Sequence, residues 1–281
     1  MTTLAIQKAG GLCPAGNLGK TLLSLENGPN LDRAALAGEC DPAALKELGD
    51  LLPGLPLRRL PRLAKIALRA ALDAADFSPG PVALLISTVY GSVASTFEFL
   101  DSILRDGAGL ASPTAFSHSV TNMTAALVSQ GLGLTGPCLT ITQPSLRPAL
   151  EAAAALLASG QADSVLWGTV SERSGVLAEV EKLAGRNQFS LTDGAVFFQL
   201  SRPDLNQKEI LISLDAARAV SRRNFEDDGH LAEAVGPGPL ALALRLALTS
   251  LILEKTSTRP TSRVITDGWE SLVISNGGES A

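Results

Sequence analysis

Short apolar runs alternate along the chain with longer segments whose apolar residues recur at helical spacing. Residues 81–88, PVALLIST, form a continuous apolar run between a Pro-Gly pair and a Tyr-Gly pair. A run of this length and content is typical of a strand that is covered on both faces, as in a parallel sheet. Further strands are predicted at residues 2–6, 138–142, 163–172, 193–203, 209–217, 263–267 and 271–275.

The helical segments are recognised by apolar residues that recur three and four positions apart. Residues 58–75 show this spacing at Leu63, Ile66, Ala67 and Ala70, with Arg and Lys on the other face. Helices are also predicted at 92–107, 121–133, 146–160 and 238–255, with short helical pieces near Pro42 to Leu52. Residues 108–120 are predicted to be a loop. In 238–255 Leu recurs at every second residue from 240 to 248, but the length and the Ala content favour a buried helix.

Strands that alternate with helices predict an α/β layered fold. The composition agrees, because 46% of the 281 residues are apolar, 18% are charged and mean hydropathy is +0.23. Such a chain can bury a large core and is not disordered. The net charge of −5 and the absence of a basic stripe argue against nucleic-acid binding.

The three cysteines, Cys13, Cys40 and Cys138, are widely spaced, show no metal-ligand spacing and cannot all pair. They favour a reduced, cytoplasmic setting, and no metal or cofactor is expected. Cys138 begins a strand that is predicted to be buried, so we expect it to serve packing, whereas Cys13 lies in a Gly/Pro loop where it could be exposed. The N-terminus has no signal-peptide pattern. The longest apolar run is interrupted by Arg245 and is too short to span a bilayer.

Four segments, taken in order, resemble the β-ketoacyl synthase branch of the thiolase fold. Residues 112–137 are similar to the family's Pro–Asn–Ala–Gly-Pro segment, and residues 138–168 are similar to its strand, nucleophile elbow, helix and following strand. Residues 190–203 resemble the Gly-Ala edge strand, and 236–248 the buried C-terminal helix. The resemblance implies a thiolase-like layered fold (α/β/α/β/α) whose second half is abbreviated. Residues 1–203 would form the N-terminal half and 204–281 the shortened C-terminal half, with a soft boundary near Pro203.

The departures from the family pattern bear on activity. Active synthases carry a Cys at the elbow, where the helix N-terminus lowers its pKa, but no Cys lies in Thr140 to Ala149. Counting back from Ser159-Gly160 places Gln143 at the nucleophile position, and counting forward from Gly136-Pro137 places Ser145 there. We favour Gln143, because helix register is harder to shift than a loop. A Gln at this position resembles the chain-length factor subunits of type II polyketide synthases, and its amide can only form hydrogen bonds.

The two histidines do not match the family's catalytic pair. His118 lies in the predicted loop before the helix at 121, and His230 is displaced by two residues, so that Ala232 falls where the catalytic His would be. Decarboxylative condensation needs both histidines to polarise the thioester and stabilise the enolate. The resemblance therefore implies that no residue is catalytic and that the chain is not an enzyme by itself.

The resemblance, closest to the short chain-length factors of aryl polyene gene clusters, implies a partner. The chain would pair with an active β-ketoacyl synthase in polyketide, aryl polyene or fatty-acid-type biosynthesis, and meet acyl carrier protein through that complex. Strand 138–142 would run antiparallel to its counterpart in the partner. Residues expected at the acyl cavity or interface are Phe97, Phe99, Phe116, Asn122, Met123 and Thr142. Two alternatives stay open: an acyltransferase with Ser145 as nucleophile, and a homodimer that binds acyl-CoA or acyl carrier protein.

Overall fold

The computed structural model describes residues 2–21, 38–75, 80–183, 192–204, 209–214, 226–227, 239–255, 262–266 and 271–276. The strands are β1 (Thr3–Cys13), β2 (Gly16–Asn17), β3 (Val82–Thr88), β4 (Cys138–Thr142), β5 (Ser164–Ser171), β6 (Gly194–Ser201), β7 (Ile210–Ser213), β8 (Glu226–Asp227), β9 (Ser262–Thr266) and β10 (Ser271–Ser275). The helices are α1 (Pro42–Lys46), α2 (Leu48–Leu51), α3 (Arg62–Ala74), α4 (Val93–Asp106), α5 (Pro113–Ser119), α6 (Met123–Leu132), α7 (Arg147–Ala158), α8 (Gly175–Leu183) and α9 (Pro239–Lys255). Short 3-10 turns lie at Leu57–Arg59 and Ala108–Leu110.

The described strands form one 10-stranded mixed sheet with the order β4-β3-β5-β6-β1-β7-β10-β9-β8, and β2 pairs with β1. Strand β3 runs parallel to both β4 and β5, whereas β6 is antiparallel to β5 and to β1. The mixed α/β class predicted from the sequence is thus confirmed.

Strand β3 shows why the apolar run at 81–88 gives a central strand. All seven residues of β3 are buried, and successive side chains point to opposite faces of the sheet. Ala83 and Leu85 belong to one hydrophobic core, whereas Val82, Leu84 and Ile86 belong to the other. The sheet therefore separates two cores, each of which needs its own layer of helices.

Helices α3 and α6 cover one face of the sheet, and α7 and α9 cover the other. The helix predicted at 58–75 begins only at Arg62, because Pro61 precedes its first turn and Leu57–Arg59 form a 3-10 turn. Helix α3 lies very close to β1, since a Cβ at Gly10 would be 2.4 Å from the Ala74 nitrogen. Helix α9 is a helix, as its length and Ala content predicted, despite its alternating leucines.

The second half of the chain continues the sheet of the first. Strand β1 pairs with β6 along its C-terminal part and with β7 through residues Thr3 to Ile6. The strands on either side of the soft boundary near Pro203 therefore share one central neighbour. The division into 1–203 and 204–281 stays a prediction.

Two predicted boundaries are wrong for identifiable reasons. The first strand is 11 residues long rather than the five predicted, because Gly10 and Gly11 continue the pairing with β6. The predicted loop at 108–120 contains helix α5, whose first turn is capped by the Ser112 side chain and begins with Pro113. Helix α8 was not predicted. Within the described part of the chain, no helix is long and apolar enough to cross a membrane.

Candidate functional site at the open edge of the sheet

Strand β4 lies at one end of the sheet and, among the described residues, pairs with β3 alone. The Leu84 N–H donates to the Pro137 carbonyl oxygen (2.8 Å), and the Gln143 N–H donates to the Thr88 carbonyl oxygen (3.1 Å). Backbone direction alternates along a strand, so the odd-numbered residues between these two bonds face β3. The N–H and C=O groups of the even-numbered residues Cys138, Thr140 and Thr142 therefore point to the open edge, where a further strand can pair.

The turn from β4 into α7 holds the two residues at which the sequence places the family's nucleophile. Gln143 is exposed directly after β4. Ser145 Oγ accepts a hydrogen bond from the Arg147 N–H (3.2 Å), so the hydroxyl caps the start of α7. Pro148 removes one more amide from the first turn of that helix. This turn presents a carboxamide at the surface and engages its hydroxyl in helix capping.

The loop after β3 brings the start of α6 to the same end of the sheet. Thr88, which pairs with Thr142, accepts a hydrogen bond on its Oγ1 from the Gly91 N–H (3.0 Å). Gly91 has φ +59°, and a Cβ there would lie 2.7 Å from the Thr121 methyl carbon, so glycine fits both the backbone conformation and the close approach. Asn122 and Met123 follow Thr121 directly. The structure therefore groups three of the predicted cavity residues, Thr142, Asn122 and Met123, near the elbow.

Helices α4 and α5 carry exposed apolar side chains beside this site. Neither helix contains a fully buried residue, although α4 packs against α5, and α5 against α6, which contacts β4. Six large apolar side chains of this region are exposed, with Leu104 at 84% and Leu110 at 76%. We call them the apolar face: Phe97, Leu100, Leu104, Leu110, Phe116 and Val120. Exposed apolar surface that is grouped in this way marks an interaction site.

The same region is poor in charge. Residues 92–146 include only Glu98, Asp101, Arg105 and Asp106 as charged side chains at neutral pH, and all four lie on α4. Depletion of charge is the compositional mark of the centre of a protein–protein interface. Leu139 adds a side chain that is 42% exposed on β4 itself. Edge strand and apolar face together have the character of a surface that another chain covers.

The remaining predicted cavity residues are aromatic and lie on the apolar face or directly beneath it. Phe99 and Phe116 have ring centroids 5.5 Å apart in a tilted arrangement that joins α4 to α5. Phe97 is exposed on the outer side of α4. Phe97 and Phe116 are therefore available to a partner, whereas Phe99 supports the position of Phe116.

The structure corrects two expectations about cysteines. Cys138 is exposed rather than buried, because β4 is an edge strand. Its partial burial raises the pKa of the thiol, so the group is not an activated nucleophile. Cys13 is buried rather than exposed; burial raises its pKa, and its sulfur lies 3.4 Å from the Thr21 Oγ1.

His118 belongs to helix α5 rather than to a loop. His230 and Ala232 lie outside the described residues. Within the described residues, no group of three or more His, Cys, Asp and Glu side chains is arranged to hold a metal ion.

A buried acidic cluster next to the end of β5 was not predicted from the sequence. The carboxylate of Asp193 is fully buried and accepts hydrogen bonds from the backbone N–H groups of Cys40 (2.9 Å) and Arg173 (2.7 Å). The Arg62 guanidinium also donates to it and lies 3.8 Å from the Glu39 carboxylate. Asp193 therefore ties four separate segments together: the chain before α1, the start of α3, the loop after β5 and the start of β6.

Glu172, directly after β5, adds a second acidic group to this cluster. Burial, together with the nearby Asp193 and Glu98 carboxylates, raises the pKa of Glu172 to about 7 against the opposing effect of Arg62. Strand β3 runs parallel to both β4 and β5. Glu172 therefore lies at the same C-terminal end of these strands as the elbow. No local sequence pattern marks either acid, since their burial results from segments distant in sequence.

The raised pKa of Glu172 predicts a pH-dependent stability. Above about pH 7 the carboxylate is charged in both the folded and the unfolded state, but only the folded state carries the cost of burying the charge. Below the pKa of the unfolded state it is neutral in both states, and this cost is absent. Its unfavourable contribution therefore develops as pH rises from about 4.5 to 7. Between pH 4.5 and pH 8 we expect the free energy of unfolding of Glu172→Gln to rise by about 3 kcal/mol relative to that of the wild type.

Urea unfolding at pH 4.5, 6 and 8 measures this difference. Glu151→Gln, which removes an exposed carboxylate from α7, is the matched control. Its difference in free energy of unfolding from the wild type should change by less than about 0.5 kcal/mol over the same pH range. A stability difference between Glu172→Gln and the wild type that is constant with pH would contradict the prediction.

The fold and the order of the matching segments are similar to those of ketosynthases of the thiolase fold. Residues 34–172 match the family model described as "Beta-ketoacyl synthase, N-terminal domain", which confirms the resemblance stated from the sequence. A search of curated proteins found no match.

Three solved structures show what the whole chain is similar to. "The ishigamide ketosynthase/chain length factor" has a TM-score of 0.71 at 14% identity, with 98% of each chain covered. "Ketosynthase (ApeO) in Complex with its Chain Length Factor (ApeC)" from Xenorhabdus doucetiae has a TM-score of 0.63 at 14% identity, covering 98% of this chain and 100% of that one. "AntDE:AntF (apo): type II PKS acyl-carrier protein in complex with its ketosynthase bound to the hexaketide" has a TM-score of 0.67 at 12% identity, covering 99% and 100%. The likeness extends over the second half of the chain as well, and the chain has the fold of a ketosynthase.

Proposed function

We propose that this chain is a non-catalytic, chain-length-factor-like subunit that pairs with an active β-ketoacyl synthase. In the pair it would complete the synthase's dimer and help to shape the cavity in which an acyl chain grows. The product would be a polyketide or aryl polyene, or a fatty-acid-type chain, built on an acyl carrier protein. Two of the similar structures are described as a ketosynthase with a chain length factor, and the third as a ketosynthase with its acyl carrier protein.

The observation that carries the proposal is the open edge of β4 beside the apolar face. An edge strand with unpaired N–H and C=O groups invites pairing, and natural proteins normally protect it with charge, proline or a covering element. Strand 138–142, CLTIT, has neither a charge nor a proline. Helix α4, which carries the exposed leucines, is linked to this strand through α5 and α6, which supports an antiparallel strand pairing with apolar contacts beside it.

The elbow supports the absence of covalent catalysis. A carboxamide cannot attack a thioester, and Ser145 Oγ accepts the Arg147 N–H at 3.2 Å in a capping arrangement. An active serine needs a base that takes its proton and amides that stabilise the oxyanion. Pro148 removes one amide of the first turn of α7. The engagement of the Ser145 hydroxyl at the start of α7 supports a role in the turn rather than in acyl transfer.

The exposed aromatic residues support a role in shaping the cavity. Phe97 and Phe116 project from a surface that a partner would cover, and Phe99 holds Phe116 in place. In a pair, these rings would reach into the partner's half of the joint cavity, next to Asn122, Met123 and Thr142. The size of these side chains would then limit the length of the growing chain.

Co-expression with a full-length ketosynthase tests the proposal. We expect a 1:1 complex in which intact-mass spectrometry during turnover finds the acyl group on the synthase and not on this chain. Ser145→Ala should form the same complex with an unchanged product, whereas Phe116→Ala should lengthen the product by at least one extension unit.

Two results would contradict the proposal. An acyl ester on this chain that disappears in Ser145→Ala would establish the acyltransferase alternative. A homodimer that binds acyl-CoA or acyl carrier protein, and that does not associate with the synthase, would establish the homodimer alternative.

A further inference from the structure

The charges next to the apolar face are predominantly acidic. On α4, Phe97, Leu100 and Leu104 are three and four positions apart and form one stripe. Glu98 and Asp101 are also three positions apart and lie beside this stripe, where both side chains are exposed. The only basic residue of the region, Arg105, is occupied, because its Nε lies 3.0 Å from the Asp106 Oδ1.

Glu98 and Asp101 form no salt bridge within 4 Å with the residues that the structure describes, although Arg105 interacts electrostatically with Asp101 at longer range. Helix α5 has no carboxylate, Lys or Arg, and neither α6 nor β4 carries any charged side chain. Helix α8, which also contacts α4, carries Glu179 and Lys182, which pair with each other at 3.9 Å. Because Arg105 and Asp106 compensate each other, helices α4 to α6 and strand β4 together have a net charge of −2, from Glu98 and Asp101. A partner that covers this surface removes water from around these carboxylates and strengthens every charge interaction with them.

Such a surface distinguishes a second copy of this chain from a different partner. A two-fold homodimer buries the same patch from both copies, so it would bring two acidic flanks to one interface and combine like charges. A partner with Lys or Arg opposite these positions would meet opposite charges. Complementary charge selects partners and accelerates association, and like charge suppresses the wrong ones.

We infer that the apolar face and its acidic flank form a selective docking surface for a chain whose matching face is apolar at its centre and basic opposite Glu98 and Asp101. The inference rests on the proposed function, in which that chain is the active ketosynthase. It adds the chemistry of the partner's surface and a reason why this chain pairs with the synthase rather than with itself. The apolar stripe supplies affinity, and the two carboxylates supply selectivity.

The test compares two double variants with the same change in net charge. Glu98→Gln/Asp101→Asn neutralises the acidic flank. Asp50→Asn/Glu254→Gln neutralises two exposed acids at the surface of α2 and near the end of α9, away from the apolar face. For each variant and the wild type, titration calorimetry at pH 8 measures the Kd for a co-purified ketosynthase in 50 mM and 500 mM NaCl. Sedimentation velocity of each chain alone measures self-association.

We expect the flank variant to bind the synthase about tenfold more weakly at low salt and to lose most of the salt dependence. Self-association of this variant should increase several-fold, whereas the control variant should match the wild type in both assays. Equal behaviour of the two double variants in both assays would overturn the inference. If the wild type does not bind the synthase, the proposed function fails. The self-association assay still decides on the charge selectivity, because unchanged self-association of the flank variant rejects it.

Discussion

Replacing Thr140 by proline should abolish pairing with a ketosynthase while the chain itself stays folded. The N–H of Thr140 points to the open edge of β4, since the neighbouring odd-numbered residues bond to β3. Proline has no N–H, and in sheets it is tolerated where that group would face away from the ladder. The variant would thus lose a central hydrogen bond to the partner strand, and the proline ring would clash with a closely paired strand. We expect the Kd for the synthase to rise more than about 100-fold.

Size-exclusion chromatography of the co-expressed pair measures this loss, and circular dichroism of the isolated variant checks its fold. Thr140→Val is the matched control, because it keeps the backbone N–H and removes only a hydroxyl that is buried without a hydrogen-bond partner. This control should pair as the wild type does. Ile141→Pro removes an N–H that serves the internal ladder, so it should destabilise the chain itself. Normal 1:1 co-purification of Thr140→Pro would show that β4 is not the pairing strand.

Asp193→Asn should be the most destabilising single substitution of a polar residue in the described part of the chain. Its carboxylate accepts hydrogen bonds from two backbone N–H groups and from Arg62, and it has no exposure to water. The asparagine amide has one acceptor oxygen where the carboxylate has two, and its NH2 group would face N–H donors that the carboxylate now accepts from. It also leaves the Arg62 charge without its closest partner. We expect the free energy of unfolding to fall by about 3–5 kcal/mol.

Urea unfolding at pH 7 measures the effect. Asp73→Asn is the control, because Asp73 forms a partly exposed i,i+4 pair with Arg69 at 2.7 Å. Loss of that pair should cost less than about 1 kcal/mol. A cost below about 1 kcal/mol for Asp193→Asn would mean that Asp193 does not hold the four segments together.

Much of the fold could be predicted from local pattern. Strands β4 and β10 match their predicted bounds, and β3 differs by one residue, because a buried strand must be apolar along its length and end at turn residues. The burial of these strands was less predictable. The run at 138–142 suggested a covered strand, yet β4 is an edge strand that exposes Cys138 and Leu139. A sequence does not show whether the cover comes from the same chain or from another.

The candidate site was predictable only where its residues are local in sequence. The turn that holds Gln143 and Ser145 follows from the spacing between β4 and α7. Helix α5 was read as a loop, although Ser112 and Pro113 carry a helix-start signature, because the segment between them and Val120 has little apolar periodicity. The cluster of Glu172 and Asp193 could not be found, since Arg62 and Cys40 reach it only through the tertiary fold.

The central position of β1 affects how the chain is synthesised. Strand β1 pairs, apart from the short β2, with β6 and β7, which follow it by about 180 to 200 residues, in a register that joins Leu12 to Ala195 and Thr3 to Ser213. At about 5–20 residues per second, its main neighbours follow after roughly 10–40 s of translation. During that interval β1 has only the short β2 to pair with, so we expect the nascent chain to expose its apolar residues until β6 and β7 have been made.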